Sequence, residues 1–219
     1  MAIDSYLIRE CSNPLCEFRF PAPKNSGIGI HCPKCKSETR IVHDLSLKHE
    51  EEIGNPLPEI PYIFEVILDN IRSTFNVGSI FRTADGVGVK TLHLCGITPP
   101  PTHLKVKKTA LGAEKTVNYV SHPNTLSFVK TIKQKECQIL ALEKTEHSTS
   151  IYDWNLSPTH HPTFLIVGNE ISGIDPDVLE LCDSHLHIPM IGLKNSLNVA
   201  IAFSIAAYSL SRNFFQQST

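Results

Sequence analysis

The sequence predicts an α/β domain built on a mainly parallel sheet, preceded by a small, separately organised β module. Three observations carry that reading. Four of the seven cysteines, Cys11, Cys16, Cys32 and Cys35, fall in the first 35 residues as two close pairs. A Glu run, a Gly and three prolines then crowd residues 50–61, which marks a linker. From residue 62 onward, short apolar runs alternate with amphipathic stretches, the pattern of strands joined by helices. The expected boundaries are 1–44 for the module, 45–60 for the linker and 61–219 for the α/β domain.

The module comes first. Its cysteines stand as "CSNPLC" and "CPKC", fifteen residues apart. Two close pairs joined by a short loop suit a tetrahedral Zn²⁺ site with four thiolates, because each pair spans one knuckle turn. Pro14 and Pro33 sit inside the knuckles, and "NSGIG" supplies a turn between two expected short strands, "EFRFP" and "GIHCP". A segment this short buries too little core to fold alone, so the metal would supply its folding energy. The module resembles a zinc ribbon. Cys95, Cys137 and Cys182 are scattered singly. The first residues, "MAIDSYLIRE", lack the uninterrupted apolar stretch of a secretory leader, so reduced thiols in a cytoplasmic protein are expected. The acidic "EEE" of the linker reads as a solvated helix end.

In the second part "YIFEVIL" is the first strand, and "VGSIFRTADGVG" is a short helix closed by Gly86 and Gly88. "TLHLCG" and "TVNYV" are the next strands, "TLSFVKTIKQK" a helix and "QILALE" the fourth strand. "TFLIVG" is the fifth, followed by the helix "DPDVLELCD" with Pro176 in its first turn. "SHLHIPM" is the sixth, and residues 195–213 form the last helix. The longest apolar run, residues 197–210, falls short of the ~20 residues of a membrane span. With a net charge of −2 no global basic field advertises a nucleic-acid partner, so any such contact rests on local patches. Lys105, Lys107 and Lys108 form one, and Lys130, Lys133 and Lys135 a second.

Ligands of parallel sheets bind in the loops at the C-terminal ends of strands. Three such loops are unusually polar here: "DNIRSTFN", "IVGNEISG" and "IPMIGLKNSLN". The phosphate-loop motif does not fit, because "GNEISG" lacks the following Lys and Ser/Thr, and a dinucleotide-binding reading is weak, because no GxGxxG opens a helix after the first strand. His185 and His187 share one face of a strand, too few ligands for a metal site. Taken singly, Asn76, Ser196 and Asn198 are ordinary helix caps. Together, at three adjacent strand ends, they point to one pocket.

"NVGSIFRTADGVG", "LIVGNEISGI" and "IPMIGLKNSLNVAIAFSIA" resemble, in order, the three motifs of the SpoU/TrmH branch of the SPOUT RNA methyltransferases, over roughly residues 61–213. The resemblance implies a C-terminal trefoil knot, a rare exception to the rule against knotted chains. It also implies S-adenosylmethionine as methyl donor, a homodimer, and transfer to a ribose 2′-OH in tRNA or rRNA. Matched position by position, Asn76, Arg82, Glu170, Ser196 and Asn198 stand at active-site positions. Gly168, Ile188 and Leu197 stand where the backbone holds the donor. Ile171 stands where many relatives carry Gly, and a β-branched residue disfavours positive φ. A guanidinium keeps its proton at any working pH, so Arg82 is expected to clamp phosphate and stabilise alkoxide charge rather than act as a base. The competing reading is a non-catalytic RNA- or ribosome-binding protein on the same fold.

Overall fold

The computed structural model describes residues 5–46, 63–154 and 161–215. The chain divides into two compact units, Met1–Pro56 and Leu57–Thr219. Most of the expected linker, the "EEE" run, Tyr62 and His160 lie outside the described residues.

The first unit is a three-stranded antiparallel sheet of β1 (Ser5–Cys11), β2 (Arg19–Pro23) and β3 (Thr39–Ser46), in the order β2-β1-β3. The strands differ from expectation. "GIHCP" contributes only an isolated bridge, His31 to Glu38, because its backbone turns into the second knuckle. There Cys32 N–H donates to Ser37 O at 2.8 Å and Lys36 N–H to Cys32 O at 2.9 Å. Each knuckle is followed by a residue with positive φ, Glu17 at 49° and Lys36 at 67°. Among the described residues of this unit, the buried apolar side chains are Leu7, Cys11, Ala22 and Cys32. Two of the four are thiols, so the hydrophobic core is too small to hold the sheet without a cross-link.

The second unit contains β4 (Phe64–Asp69), α1 (Thr74–Gly86), β5 (Thr91–Cys95), α2 (Leu104–Ala110) and a 3₁₀ turn at Ala113–Lys115. It continues through β6 (Asn118–His122), α3 (Thr125–Lys133), β7 (Gln138–Leu142), β8 (Thr149–Ser150) and β9 (Thr163–Val167). It ends with α4 (Pro176–Leu179), β10 (Ser184–His187) and α5 (Val199–Phe215). Its seven strands run in the order β6-β5-β4-β9-β7-β10-β8, and all six pairings are parallel.

Both sheet faces are buried, which is why the strands read as continuous apolar runs rather than alternating ones. Val66 and Leu68, Leu92 and Leu94, Leu140, and Leu165 and Val167 pack with α1, α2 and α5. Their neighbours Ile67, Cys95, Ile139, Ala141, Phe164 and Ile166 pack with α3 and α4. The first helix forms because Val77, Ile80, Phe81 and Ala84 recur at helical spacing toward the core. It starts three residues earlier than expected, since Ser73 caps it by accepting the Asn76 N–H at 3.3 Å. The last helix starts later, at Val199. Asn198 Oδ1 accepts the Ala200 N–H at 3.0 Å and the Ile201 N–H at 3.4 Å, holding residues 195–198 outside it. Among the described residues no helix is long and apolar enough to cross a membrane.

Candidate active site

Four strand ends, those of β4, β7, β9 and β10, open on one side of the sheet, and the three polar loops meet there. Asp69, the last residue of β4, is buried with both oxygens hydrogen-bonded: Oδ1 accepts from Thr125 Oγ1 at 2.6 Å and Asn70 Nδ2 at 2.9 Å, Oδ2 from Asp175 N–H at 3.1 Å. Asn70 has φ 57° and gives its carbonyl to Asn169 Nδ2 at 2.7 Å. Asn169 Oδ1 in turn accepts the N–H groups of Ile171 and Ser172 at 2.9 and 3.2 Å. The loop after β9 is thereby tied to the end of β4 before any charged group is added.

Glu170 supplies the charge. Its carboxylate accepts from Arg72 N–H, Ser73 N–H and Asn76 Nδ2, all at 2.9 Å. Asn198 Nδ2 donates to Asn76 Oδ1 at 3.0 Å. A carboxylate only accepts, so Asn76 must turn its NH₂ to Glu170 and its oxygen to Asn198. The chain Glu170–Asn76–Asn198 therefore locks the three loops into one frame. Burial works against the Glu170 charge, but the Arg72, Ser73, Asn76 and own-backbone donors outweigh it and hold its carboxyl below the usual 4.5. A depressed folded-state value means that this stabilisation is complete above pH 4.5 and is lost as pH falls through the folded value. The Tm difference between the native protein and Glu170→Gln is therefore expected to be clear at pH 6 and to close on acidification toward pH 3. A difference independent of pH would show that the carboxylate does not hold the frame.

Beside the frame lies a cavity of about 1000 Å³. Gly168, Glu170, Ile188, Ser196, Leu197 and Asn198 all line it, with Leu142, Val167 and Leu186 supplying apolar wall. A Cβ on Gly168 would collide with the backbone of Gly173 and Ile174, so a glycine is what lets this loop fold back on itself. The left-handed residue of the loop is Gly173, at φ 73°. Ile171 is thus accommodated without positive φ, its N–H held by Asn169. Asn76 reaches the cavity through its hydrogen bonds. Arg82 does not line it: it lies six residues further along α1, roughly 9 Å along the axis, exposed and without a partner among the described residues.

In the first unit the four cysteine sulfurs lie within 4.8 Å of one another. Cys16 and Cys32 Sγ are 3.8 Å apart and Cys11 and Cys35 Sγ 3.3 Å. A Zn²⁺ tetrahedron with Zn–S of about 2.3 Å has edges of about 3.8 Å. The donor set fits that ion.

Sequence reasoning missed Asp69, Asn70 and Asn169. The signal was present: "DN" and "GNE" put adjacent polar residues at the ends of fully apolar strands. The row of Glu65, His93 and His122 was missed as well. It links β4 to β6 with His93 Nε2 2.6 Å from Glu65 Oε2 and His93 Nδ1 3.0 Å from His122 Nε2. Stacked on Phe128, it is a satisfied polar row in the wall facing α3.

A parallel sheet whose strand-end loops are knit around a cavity of this size is the arrangement of a small-molecule-binding α/β domain. Residues 63–208 match the SpoU rRNA methylase family, and the chain belongs to that family. The tRNA (guanosine(18)-2′-O)-methyltransferase of Aquifex aeolicus is 31% identical over 153 residues, 67% of this chain and 68% of that one. The Escherichia coli enzyme of the same name is 32% identical over 147 residues, 67% of this chain and 62% of that one. An AdoMet-bound rRNA methyltransferase from Sinorhizobium meliloti superposes with a TM-score of 0.63 at 27% identity, covering 69% of this chain and 56% of that one. The match thus spans between about half and two thirds of these relatives.

Proposed function

We propose that this protein transfers a methyl group from S-adenosylmethionine to a ribose 2′-OH of tRNA or rRNA. The observation that carries the reading is the Glu170–Asn76–Asn198 chain, which joins all three motif loops beside a cavity large enough for the donor. The names of the relatives, and the donor bound in the Sinorhizobium meliloti neighbour, support the same reading. Bound there, the donor would supply an electrophilic methyl on a sulfonium. Gly168, Ile188 and Leu197 would hold it, with Ser196 at its reacting end.

The chain's own residues would do the rest by positioning and electrostatics. Glu170, Asn76 and Asn198 are positioning groups, their polar atoms spent on one another and on backbone. Arg82 stays charged, clamps the phosphate next to the target ribose and stabilises the developing alkoxide. The 2′-OH proton passes to a phosphate oxygen or to water. Exposed Lys105, Lys107 and Lys108 on α2, a helix packed beside α1, offer phosphate contacts. Lys133 is otherwise engaged, paired with Asp183.

The reading extends to assembly and to the first unit. Helices α1 and α5 pack together and leave Phe75, Ile201 and Tyr208 half exposed or more, apolar side chains suited to a homodimer contact. The module expected over residues 1–44 is a zinc ribbon whose last strand runs on to Ser46, and residues 61–219 are the methyltransferase domain. The C-terminal segment that leads from β10, between β7 and β8, to α5 would be threaded as a trefoil knot. Reduced cysteines fit a cytoplasmic enzyme.

The test is transfer of label from S-adenosylmethionine into total RNA from cells lacking the gene, followed by digestion to nucleosides and identification by mass. A 2′-O-methylnucleoside is the expected product. A base-methylated nucleoside would overturn the acceptor. Absence of both label and donor binding would favour a non-catalytic RNA-binding protein.

A further inference from the structure

We infer that Glu143 and His187 form a two-residue clamp for the vicinal ribose diol of the methyl donor, an inference that rests on the donor cavity proposed above. Neither residue belongs to the three polar loops. In the register of β7 and β10, His185 stands opposite Ala141 and Leu186 opposite Leu142, and Glu143 N–H donates to Leu186 O at 3.0 Å. The next pair on the same sheet face is His187 and Glu143. Both line the cavity.

The two histidines of β10 have different fates. His185 Nε2 lies 3.1 Å from Leu179 O and its Nδ1 3.0 Å from Thr145 Oγ1. A carbonyl only accepts, so Nε2 carries the proton and both ring nitrogens are satisfied. His187 is unfinished: its Nδ1 is buried with no partner among the described residues. Of the two ring nitrogens, Nε2 is the one left for a ligand of the cavity that His187 lines. A buried N–H without an acceptor is costlier than a buried lone pair, so the tautomer with its proton on Nε2, a donor, is the favoured one.

Glu143 offers the complement. Its Oε1 accepts Lys144 N–H and its Oε2 accepts Ile174 N–H, each at 3.3 Å, which orients the carboxylate and leaves each oxygen an unused lone pair. An acceptor and a donor side by side match two neighbouring hydroxyls. One hydroxyl donates to Glu143, and the other accepts from His187. The donor's charged amino-acid end is the less suitable occupant. Glu143 and His187 are half-buried in a cavity that Leu142 and Leu186 also line, where a neutral diol costs less to desolvate than a zwitterion. Exposed Lys144 and Glu146 on the rim suit that end.

The test is calorimetric binding of three probes to the full zinc-loaded chain: S-adenosylhomocysteine, its 2′,3′-dideoxy analogue, and methylthioadenosine, which keeps the diol but lacks the amino-acid end. Glu143→Gln and His187→Leu are each expected to weaken S-adenosylhomocysteine and methylthioadenosine by about 10-fold and the dideoxy analogue by about twofold or less. His187→Gln, which keeps a donor, is expected to recover most of the loss and serves if the Leu variant folds poorly. Weakening of S-adenosylhomocysteine alone would overturn the inference in favour of the amino-acid end. Equal weakening of the dideoxy analogue, or no weakening at all, would overturn it outright. A native protein that binds none of the three would sink the donor cavity itself.

Discussion

Arg82→Ala is expected to lower methyl transfer by about 10²–10³-fold while leaving donor affinity and Tm unchanged. The expectation follows from where the side chain is not. Arg82 stands exposed on α1, lines no part of the cavity and has no partner among the described residues, so its removal opens no core and unpairs no neighbour. What the variant loses, on the proposed reading, is the charge that clamps the RNA phosphate. Arg82→Lys keeps the charge but not the two-pronged fork. A Lys variant nearly as weak as the Ala variant would favour a phosphate clamp, and one near native activity would favour a bare positive field. Full transfer by Arg82→Ala would remove the residue from the mechanism. Donor binding lost together with transfer would place it in the donor site.

Removing zinc, by chelation or by Cys32→Ser, is expected to unfold the first unit and leave the second folded. Apparent zinc affinities of four-ligand modules amount to roughly 10–16 kcal/mol, far more than the side chains of Leu7 and Ala22 contribute by burial. The methyltransferase unit keeps its own two-sided core around a seven-stranded sheet. Far-ultraviolet circular dichroism should therefore lose the small sheet's share, with the main thermal transition in place. RNA affinity should fall more than donor affinity if the ribbon helps choose the substrate. An equal fall in both would make it a structural support alone. An unchanged sheet after complete chelation would show that the four thiols fold the module without an ion.

The core strands were legible because a sheet buried on both faces demands apolar residues at most positions of its central strands. "TFLIVG" and "QILALE" could be nothing exposed. Their ends were legible for the complementary reason, since polar residues directly after such strands need partners. What blurred was whatever depended on a single cap. Helix α1 begins at Thr74 because Ser73, not Asn76, accepts the first free N–H, and the serine and asparagine stand too close in sequence to be ranked without geometry. The two-residue strand β8 escaped because its pairing depends on β10, 34 residues away in the chain.

The amino-acid sequence by itself determined the class of fold, the four thiols, the three loops that carry Asn76, Glu170, Ser196 and Asn198, and the helix that carries Arg82. It did so because strand periodicity, knuckle spacing and polar strand ends are local patterns. Only the tertiary structure decided how those residues divide their work. Glu170, Asn76 and Asn198, separated by up to 122 residues, spend their hydrogen bonds on one another, whereas Arg82 is left free. It also singled out His187 from His185, identical neighbours on one strand face, because one ring finds Thr145 and Leu179 and the other lines the cavity with its Nδ1 unpartnered among the described residues. Hydrogen bonds between distant loops are set by the register of a parallel sheet, and that register is written in packing across the whole domain rather than in any one stretch of chain.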